Sequence, residues 1–346
     1  MFKPKYAITD KLLSQIKQVN NLVIKLNRQR FPNIVLAEFE KIARAISAFA
    51  STGIEGNPLP LTEVKKILKS KPEHIRDSEQ EVLNYNNALI DLNKKLKSSK
   101  IQLSLKLVLK IHKQVTQNLF PKHQSGHLRQ LPVVINDPKI KKIIFLPPDV
   151  KDVKKLVIEL IEFIKINQNK IDPLIIAGIF HKQMVIIHPF IDGNGRTTRL
   201  VTKLLLAKLG LNTFNLFSFE NYYNQNITRY FEAVGERGDY YDLKENIDFT
   251  AWLEYFTEGI IDELLRIKKL LPNINLNPDT RLKPFHQKIL KYIKENNFVT
   301  DRDYAKLVKR AKATRALDFQ KLIKLGLISR KAKGKSTYYI LKEIHT

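Results

Sequence analysis

Residues 173–210 read PLIIAGIFHKQMVIIHPFIDGNGRTTRLVTKLLLAKLG, and this stretch decides the fold. A largely apolar helix pattern leads into a polar loop, and a second helix pattern follows. Asp172 and Pro173 are typical of an N-cap and a first helical position, and Gly210 is typical of a helix end. Residues 188–199 hold more charged and polar groups than a core segment needs. We therefore predict two helices that present a functional loop between them.

The predicted loop is suited to bind an anion. Gly193 and Gly195 flank Asn194 where the second helix begins, so backbone N–H groups can turn toward a ligand there. The positive end of the helix adds to this attraction. Arg196 and Arg199 are three residues apart, share a helix face and can reach toward the same anion.

Two more side chains of the loop supply chemistry. Asp192 beside a phosphate site is a natural Mg²⁺ ligand. His188 is the nearby group whose ordinary pKa suits a general base at neutral pH. The Walker A pattern and the third glycine of a dinucleotide-binding fingerprint are both absent. Each residue alone is compatible with an ordinary turn or helix end, but the ordered combination favours phosphoryl or nucleotidyl transfer.

Composition sets the class of protein and its partners. The chain has 346 residues, 43% of them hydrophobic, which is enough for two or three domains with sizeable cores. Lysine and arginine outnumber aspartate and glutamate by 60 to 34, a formal charge of +26, which favours polyanions or reflects a lysine-rich surface. No cysteine is present, so thiolate sites are excluded and a reducing compartment fits. With neither a signal-type start nor a membrane-length apolar run, we predict a cytoplasmic protein.

Apolar periodicity predicts a mostly α-helical fold. Apolar residues between Leu12 and Leu26 recur at steps of three and four, which is the pattern of an amphipathic helix. The pattern changes to short β-type runs at Val133–Ile135 and Ile143–Leu146, with Asn136-Asp137-Pro138 as a turn between them, so a hairpin is predicted there. Further helices are predicted at 35–55, from 61, at 77–97, 102–117 and 150–167, and in a block that ends near 271.

The last part of the chain differs in character. Residues 272–283 are rich in proline and asparagine and are predicted to be a linker. Residues 284–346 then read as three helices and two strands, the order of a winged helix-turn-helix. Thr300 with Asp303 predicts a capping box for the second helix, and Thr314 an N-cap for the third.

Such a domain could bind DNA through the helix that begins near Thr314, with Lys331, Lys333 and Lys335 of the wing on phosphates. The alternative is a winged helix used for dimer contacts or for docking a target protein.

The stretch 188–199, HPFIDGNGRTTR, resembles the Fic-domain signature HPFx(D/E)GNGRxxR at every specified position. The resemblance extends to GHLR at 126–129 and to the predicted hairpin that follows. This hairpin is similar to the flap on which Fic proteins dock their target, so Val134 and Ile135 are expected to contact a target protein. Tyr230 resembles a residue of the nucleotide pocket, as does Ser218. Phe231 departs from the usual tyrosine pair, and His127-Leu128 from the usual aromatic before the flap arginine.

The resemblance implies a mostly α protein with a Fic-type helical core, a β-hairpin flap and a C-terminal winged helix. The resemblance covers roughly residues 1–270, and together with the patterns of the last part of the chain it predicts four regions: an N-terminal helical region with an inhibitory helix at 1–100, a Fic core at 101–271, the linker at 272–283 and the winged helix at 284–346. Fic proteins of this class are protein adenylyltransferases, so the chain is expected to move AMP from ATP to a Ser, Thr or Tyr hydroxyl of a target protein and of itself.

The resemblance also implies a role for each residue of the loop. His188 would take the hydroxyl proton, and Asp192 would hold Mg²⁺. Asn194 would contact the α-phosphate between the cradling Gly193 and Gly195. Arg196 would stabilise the β- and γ-phosphates. Phe190 would anchor the loop in the core.

Residues 51–57, STGIEGN, carry a second resemblance. A glutamate at the end of a helix opposes the helix dipole, so by itself it is an ordinary solvated residue unless a cation pairs with it. The stretch resembles the (S/T)xxxE(G/N) inhibitory motif of Fic proteins, with Ser51, Glu55 and Gly56 in place. This implies that Glu55 pairs with Arg199, which the γ-phosphate of ATP needs, and thereby keeps the enzyme inactive.

Two alternatives remain open at this level. The same site could remove AMP from targets, or transfer another nucleotide or a phosphoryl group. In the second alternative the chain is a DNA-binding regulator whose Fic core only senses a ligand. The predicted partners are ATP, a target protein, DNA through the winged helix and a second copy of the chain in a homodimer, without a membrane.

Overall fold

The computed structural model describes residues 2–29, 33–97, 101–136, 142–208, 210–211, 213–271, 282–325, 327–332 and 334–342. Contacts divide the chain into two compact units. One comprises Met1–Val23 and Ile42–Leu264, and the other comprises Ile24–Lys41 and Leu265–Thr346. Within the described ranges, no helix has the length and apolar character needed to cross a membrane. The predicted boundaries near residues 100 and 271 stay predictions, and most of the predicted linker at 272–283 lies outside the described residues.

The first 271 residues are built mainly from helices, as the periodicity predicts. The bounds are α1 Asp10–Asn27, α2 Asn33–Ile54, α3 Leu61–Lys69, α4 Asp77–Lys97, α5 Leu105–Val115, α6 Val150–Asn167, α7 Pro173–Ile187, α8 Asn194–Ala207, α9 Glu220–Gln225, α10 Ile227–Val234, α11 Tyr240–Leu243 and α12 Thr250–Leu270.

Helix α7 forms the centre of the core. Nearly all of its side chains are buried, which its continuous apolar sequence requires. The predicted N-cap is confirmed, because the Asp172 carboxylate accepts a hydrogen bond of 2.8 Å from the N–H of Leu174. A Cβ at Gly178 would lie 2.6 Å from Leu253 Cδ2, so this glycine lets α12 pack closely against α7. The Trp252 indole closes the contact with a 2.8 Å hydrogen bond to the Gly178 carbonyl. These contacts hold the first half of α7 against α12.

The predicted hairpin is shorter than its sequence pattern. β1 is Ile135–Asn136 and β2 is Ile143–Leu146, and they pair antiparallel with Ile135 opposite Phe145. The strand does not begin at Val133, because ladder pairing, and not β propensity, sets its start. A third strand that the sequence analysis missed, β3 Gly238–Asp239, pairs parallel with β2. The predicted turn residues Asp137 and Pro138 lie outside the described residues.

The C-terminal part contains three helices and a two-stranded antiparallel sheet, in the predicted order. The bounds are α13 Pro284–Asn296, α14 Asp301–Leu307, α15 Lys312–Lys324, β4 Ile328–Lys331 and β5 Tyr338–Leu341. The capping box is confirmed, because the Thr300 hydroxyl accepts from the N–H of Asp303 at 3.3 Å and Asp303 Oδ2 accepts from the N–H of Thr300 at 3.0 Å. Helix α15 starts at Lys312, so the prediction that Thr314 caps it is wrong. Ala311 occupies the N-cap without a side-chain bond, and Thr314 lies inside the first turn of the helix.

Candidate active site

His188 ends helix α7 in a left-handed conformation, with φ 48° and ψ 60°. Its N–H still donates to the Met184 carbonyl at 3.1 Å, and the proline that follows cannot continue the helix. The ring Nδ1 lies 3.3 Å from the Val185 carbonyl, which can only accept, so the proton belongs on Nδ1 and the lone pair on Nε2. Burial lowers the pKa of His188 below its ordinary value. The ring is therefore a neutral base whose Nε2 is able to take a proton.

The loop after His188 is closed by the side chain of Asn194. Its Oδ1 accepts from the N–H of Phe190 at 2.9 Å, and its Nδ2 donates to the carbonyl of Phe190 at 2.9 Å. Asn194 and Phe190 are both buried. The amide assigned to the α-phosphate from the sequence is thus engaged with the loop itself, whereas the first N–H groups of α8 have no partner within the helix. Phe190 is the core anchor that the sequence analysis expects.

A second support of the loop comes from His112 on α5, which the sequence analysis missed. Its Nε2 lies 3.0 Å from the Asp192 carbonyl, and its Nδ1 accepts from the N–H of Gly126 at 2.9 Å. The ring stacks on Phe190, with centroids 3.7 Å apart and 4° between the planes. Burial lowers the pKa of His112 to about 4, so the ring is neutral at pH 7. Gly193, at φ 75°, passes so close that a Cβ would lie 3.4 Å from the His112 ring.

Arg129, the arginine of GHLR, joins the loop to the flap. Its Nε donates to the carbonyl of His188 at 2.9 Å, and its own N–H donates to the carbonyl of Pro189 at 2.9 Å. The guanidinium also donates to the carbonyls of Leu131 and Pro148, on either side of the hairpin. Burial lowers the pKa of Arg129, but the group stays cationic. The position of His188 and the position of the hairpin therefore depend on one side chain.

Arg199 is fully buried and bound to the end of α2. Its Nε donates to Ser51 Oγ at 2.8 Å, and its Nη2 donates to the Ser51 carbonyl and to Glu55 Oε1, both at 2.7 Å. Burial lowers the pKa of Arg199, but the Glu55 carboxylate outweighs this and holds the pKa above its ordinary value. A Cβ on Gly195 would lie 2.0 Å from Glu55 Oε1. The carboxylate thus lies directly on the first turn of α8, where the sequence predicts the anion.

Arg196 is also buried and is held between two carboxylates. Its Nη2 donates to Asp192 Oδ2 at 2.9 Å, and its Nη1 lies 3.0 Å from Glu81 Oε1 on α4. Asn57 donates to the other oxygen of Glu81 at 2.7 Å. The sequence analysis missed Glu81, since α4 and α8 are far apart in the chain and nothing local marks the residue.

A metal ion would need ligands beyond the protein here. Among the described residues, no group of three or more His, Cys, Asp or Glu side chains is arranged to hold one. Asp192, with its side chain 45% exposed, offers one accessible carboxylate at the loop. This donor set fits Mg²⁺ only in the mode where a single carboxylate, water and substrate phosphates complete the coordination.

Two residues assigned to the nucleotide pocket are buried in the core. The Tyr230 hydroxyl lies 2.9 Å from His181 Nε2, its ring stacks on Tyr223 with centroids 4.9 Å apart, and burial raises the pKa of Tyr230 to about 12. Ser218 is fully buried and donates to the Ala43 carbonyl at 3.0 Å. Phe231 next to Tyr230 is 42% exposed.

The flap residues are at the surface. Val134 is 44% exposed, and Ile135 on β1 is half-buried. Among the strands of the described ranges, β1 lies at the edge of its sheet and pairs with β2 on one side. This is the geometry on which an extended peptide adds as a further strand.

Comparisons with known proteins agree on the nature of this helical core. Residues 102–206, which include the whole loop, match the model of the Fic/DOC family. These residues form a Fic domain. Proteins named "Protein adenylyltransferase Fic" from Drosophila grimshawi and Aedes aegypti are each 30% identical to the chain over 182 residues, which is 51% of this chain. The chain covers only 36% and 35% of those relatives, about a third of their length.

Solved Fic structures share the fold. A Fic family protein from Desulfovibrio desulfuricans G20 aligns over all of both chains with a TM-score of 0.68 at 18% identity. Fic-1 from C. elegans aligns over 75% of this chain and 72% of its own, with a TM-score of 0.56 at 22% identity. At these identities the likeness concerns the fold. Ser51, Glu55 and Tyr230 lie outside the matched Fic range of 102–206, so their roles depend on the contacts described above.

Proposed function

We propose that the chain is an autoinhibited protein adenylyltransferase, which transfers AMP from ATP to a Ser, Thr or Tyr hydroxyl of a target protein and of itself. The observation that carries the proposal is the neutral His188 with Nδ1 held by the Val185 carbonyl, at the loop that leads into the N-terminal end of α8. Relatives that are 30% identical over half of this chain carry the name of that activity. A base next to an anion site is what such a transfer requires.

The proposed reaction is a single displacement. His188 Nε2 takes the proton of the acceptor hydroxyl while its oxygen bonds to the α-phosphorus. The bond from the α-phosphorus to the oxygen that bridges to the β-phosphate breaks, and pyrophosphate leaves with that electron pair. The N–H groups of Gly193, Asn194 and Gly195 and the positive end of α8 bind phosphate oxygens. Arg196, already oriented by Glu81, neutralises charge on the β- and γ-phosphates.

Mg²⁺, bound through Asp192 together with phosphate oxygens, would neutralise charge on the nucleotide phosphates. For this the Asp192 carboxylate has to share its hydrogen bond with Arg196. The contacts of Asn194 with Phe190 and of His112 with the Asp192 carbonyl hold the loop that carries the Asp192 carboxylate. The protein therefore contributes the position of one negatively charged ligand.

The proposed brake is the Glu55 carboxylate on Arg199. Glu55 lies over Gly195, so it occupies the space above the first turn of α8 and pairs with the cation that a γ-phosphate needs. A phosphate chain there would meet like charge. ATP can take a productive position only after Glu55 leaves, and the two bonds from Arg199 to Ser51 hold α2 in the inhibited arrangement.

The test of the activity uses ATP labelled at the α-phosphate, Mg²⁺ and purified protein as its own acceptor. Wild type, Glu55→Gly and the double variant Glu55→Gly/His188→Ala are compared. We expect label in Glu55→Gly and none in the double variant. Label that appears only from γ-labelled ATP would indicate phosphotransfer, and loss of AMP from pre-labelled protein would indicate the reverse reaction. No label from any nucleotide in folded Glu55→Gly would favour a sensing core and refute the proposal.

A second proposed function, DNA binding, concerns the C-terminal helices and hairpin as a winged helix. Three acidic side chains of this part are engaged by neighbouring groups: Asp301 pairs with Arg315 at 2.7 Å, Asp303 caps α14, and the buried Asp318 accepts from Tyr304 at 2.7 Å. The exposed cations of this part include Lys306, Lys309, Lys312, Lys324, Arg330 and Lys331. The exposed surface is therefore basic, and a basic surface favours binding to the phosphates of duplex DNA. Lys333 lies outside the described residues, and nothing is described of the Lys335 side chain.

Duplex DNA of random sequence tests this function. We expect the binding constant to fall steeply with salt, and the variant Lys312→Ala/Lys331→Ala to reduce the salt dependence by about two ions. The matched control is Lys291→Ala on α13, an exposed lysine that pairs with Glu295. Binding that is indifferent to salt, or equally reduced by the control, would refute DNA binding in favour of a docking role. The homodimer, the cytoplasmic location and the preference for ATP stay predictions.

A further inference from the structure

His112 is a buried histidine that the proposed reaction does not use. It lies on α5, with 3% of its surface exposed, and neither ring nitrogen faces the site. Both nitrogens bind backbone groups from two different segments, the N–H of Gly126 and the carbonyl of Asp192. Only one neutral tautomer satisfies both contacts, with the lone pair on Nδ1 and the proton on Nε2.

The two segments that His112 joins are the ones that shape the site. The segment after Gly126 leads to Arg129, which binds the carbonyl of His188. The carbonyl of Asp192 immediately precedes Gly193, whose left-handed conformation starts α8. The stack on Phe190 fixes the loop between these points. Thr116 and Ser125 add a hydrogen bond of 2.8 Å between α5 and the same segment, so the arrangement is rigid on the α5 side.

We infer that His112 is a positioning residue for the transfer, because its Nε2–H fixes the Asp192 carbonyl and thereby aims both the Asp192 carboxylate and the first N–H groups of α8 at the phosphates. The inference rests on the proposed function. The Asn194 amide closes the loop from within, through both polar groups of Phe190, but nothing in that contact orients Asp192. Arg196 binds the Asp192 carboxylate itself, and the hydrogen bond from His112 fixes the backbone from which that carboxylate extends.

Two substitutions of His112 each retain the contact of one ring nitrogen and remove the contact of the other. In His112→Gln the amide nitrogen can take the place of Nε2 and donate to the Asp192 carbonyl, while the acceptor for Gly126 is lost. In His112→Asn the amide oxygen can take the place of Nδ1 and accept from Gly126, while the donor to Asp192 is lost. Both variants lose the stack on Phe190, so the difference between them compares the donor to Asp192 with the acceptor for Gly126. Val157→Ala, a truncation of a fully buried side chain on α6, is the control for a general loss of Tm.

The variants are compared in the Glu55→Gly protein by AMP transfer and by the rise in Tm that ATP with Mg²⁺ produces. We expect His112→Asn to lower the kcat of self-labelling by about 10- to 100-fold, since small misplacements of reacting groups cost this much. The Mg²⁺-dependent part of the Tm rise should be lost as well. His112→Gln should retain most of both, and Val157→Ala should lower Tm alone.

Equal losses in the Gln and Asn variants, in proportion to their loss of Tm, would overturn the inference and leave His112 a packing residue. If the parent Glu55→Gly protein transfers no AMP, the proposed function fails, and the Tm rise with ATP and Mg²⁺ still tests the role of His112. If neither variant folds, ¹⁵N NMR of the wild-type protein can determine which nitrogen of the His112 ring carries the proton. A proton on Nε2 supports the inference, and a proton on Nδ1 refutes it.

Discussion

Glu55→Gly is the substitution that most directly tests the described contacts. It removes the carboxylate that accepts from Arg199 at 2.7 Å and that lies over Gly195. Arg199 is fully buried, whereas the Glu55 side chain is 26% exposed, so water screens the pair in part. A hydrogen bond between charged groups contributes about 1.5–3 kcal/mol. If ATP must displace this bond, its removal should raise the rate of AMP transfer by about 10- to 100-fold, at about 1.4 kcal/mol for each factor of ten.

The same substitution should lower the stability of the ligand-free protein. The buried guanidinium keeps its two bonds to Ser51 but loses its counterion, which costs more than the pair contributed. We expect a lower Tm without nucleotide and a larger rise in Tm with ATP than in wild type, because the triphosphate then supplies the missing charge. Glu55→Gln is the matched control. It keeps an oxygen for Arg199 and the bulk over Gly195 but no charge, and should label at an intermediate rate.

The assay follows label from α-labelled ATP into the protein, with His188→Ala added to the Glu55→Gly variant as the blank. A folded Glu55→Gly protein that labels itself no faster than wild type would refute the brake. An equal rise of the labelling rate in Glu55→Gln and Glu55→Gly would show that the charge of Glu55 inhibits, and not its occupation of the space above the first turn of α8.

Three further predictions concern single contacts of the site. Ser51→Ala removes the oxygen that accepts from Arg199 Nε at 2.8 Å in a fully buried place, so thermal unfolding should show a loss of about 1–3 kcal/mol and labelling should rise, though less than in Glu55→Gly. Because burial lowers the pKa of His188, the base stays neutral at pH values below the ordinary 6.5 of histidine, and kcat/KM should fall with acid only below about 6.5. An acid limb above that value would contradict the buried neutral ring. Removing Mg²⁺ with a chelator should abolish labelling, and Asp192→Asn should raise the Mg²⁺ concentration for half-maximal rate; an unchanged Mg²⁺ dependence would exclude Asp192 as a ligand.

The local parts of this fold could be predicted because local chemistry decides them. The N-cap at Asp172 and the capping box at Thr300 depend on residues within three positions, and both are confirmed. The bounds of α4 and α6 agree with the apolar periodicity for the same reason, whereas α5 is shorter than its predicted range of 102–117. The prediction of a cap at Thr314 is wrong, because α15 already begins at Lys312 with Ala311, which has no capping side chain, at the N-cap.

The loop at 188–199 could be recognised from the sequence because its polar residues are contiguous. Their ordered types indicate an anion site with a base, and the signature assigns it to a Fic domain. What each side chain binds could not be predicted. The Asn194 amide closes the loop on Phe190, and the Tyr230 hydroxyl faces His181 in the core. A side chain of given type has several partners within reach, and only packing selects one.

The sequence by itself determined the helices, the loop and the chemistry of its residues, because these depend on neighbours along the chain. The resemblance of residues 51–57 already implies that Glu55 pairs with Arg199, 144 positions away, and the structure contains that contact. The tertiary structure alone decided that Glu81 holds Arg196 and that His112 holds the Asp192 carbonyl. These contacts join helices that are distant in sequence, and no local pattern encodes their meeting. They form when α2, α4 and α5 bury their apolar faces, which brings together polar groups that cannot remain unpaired in the interior.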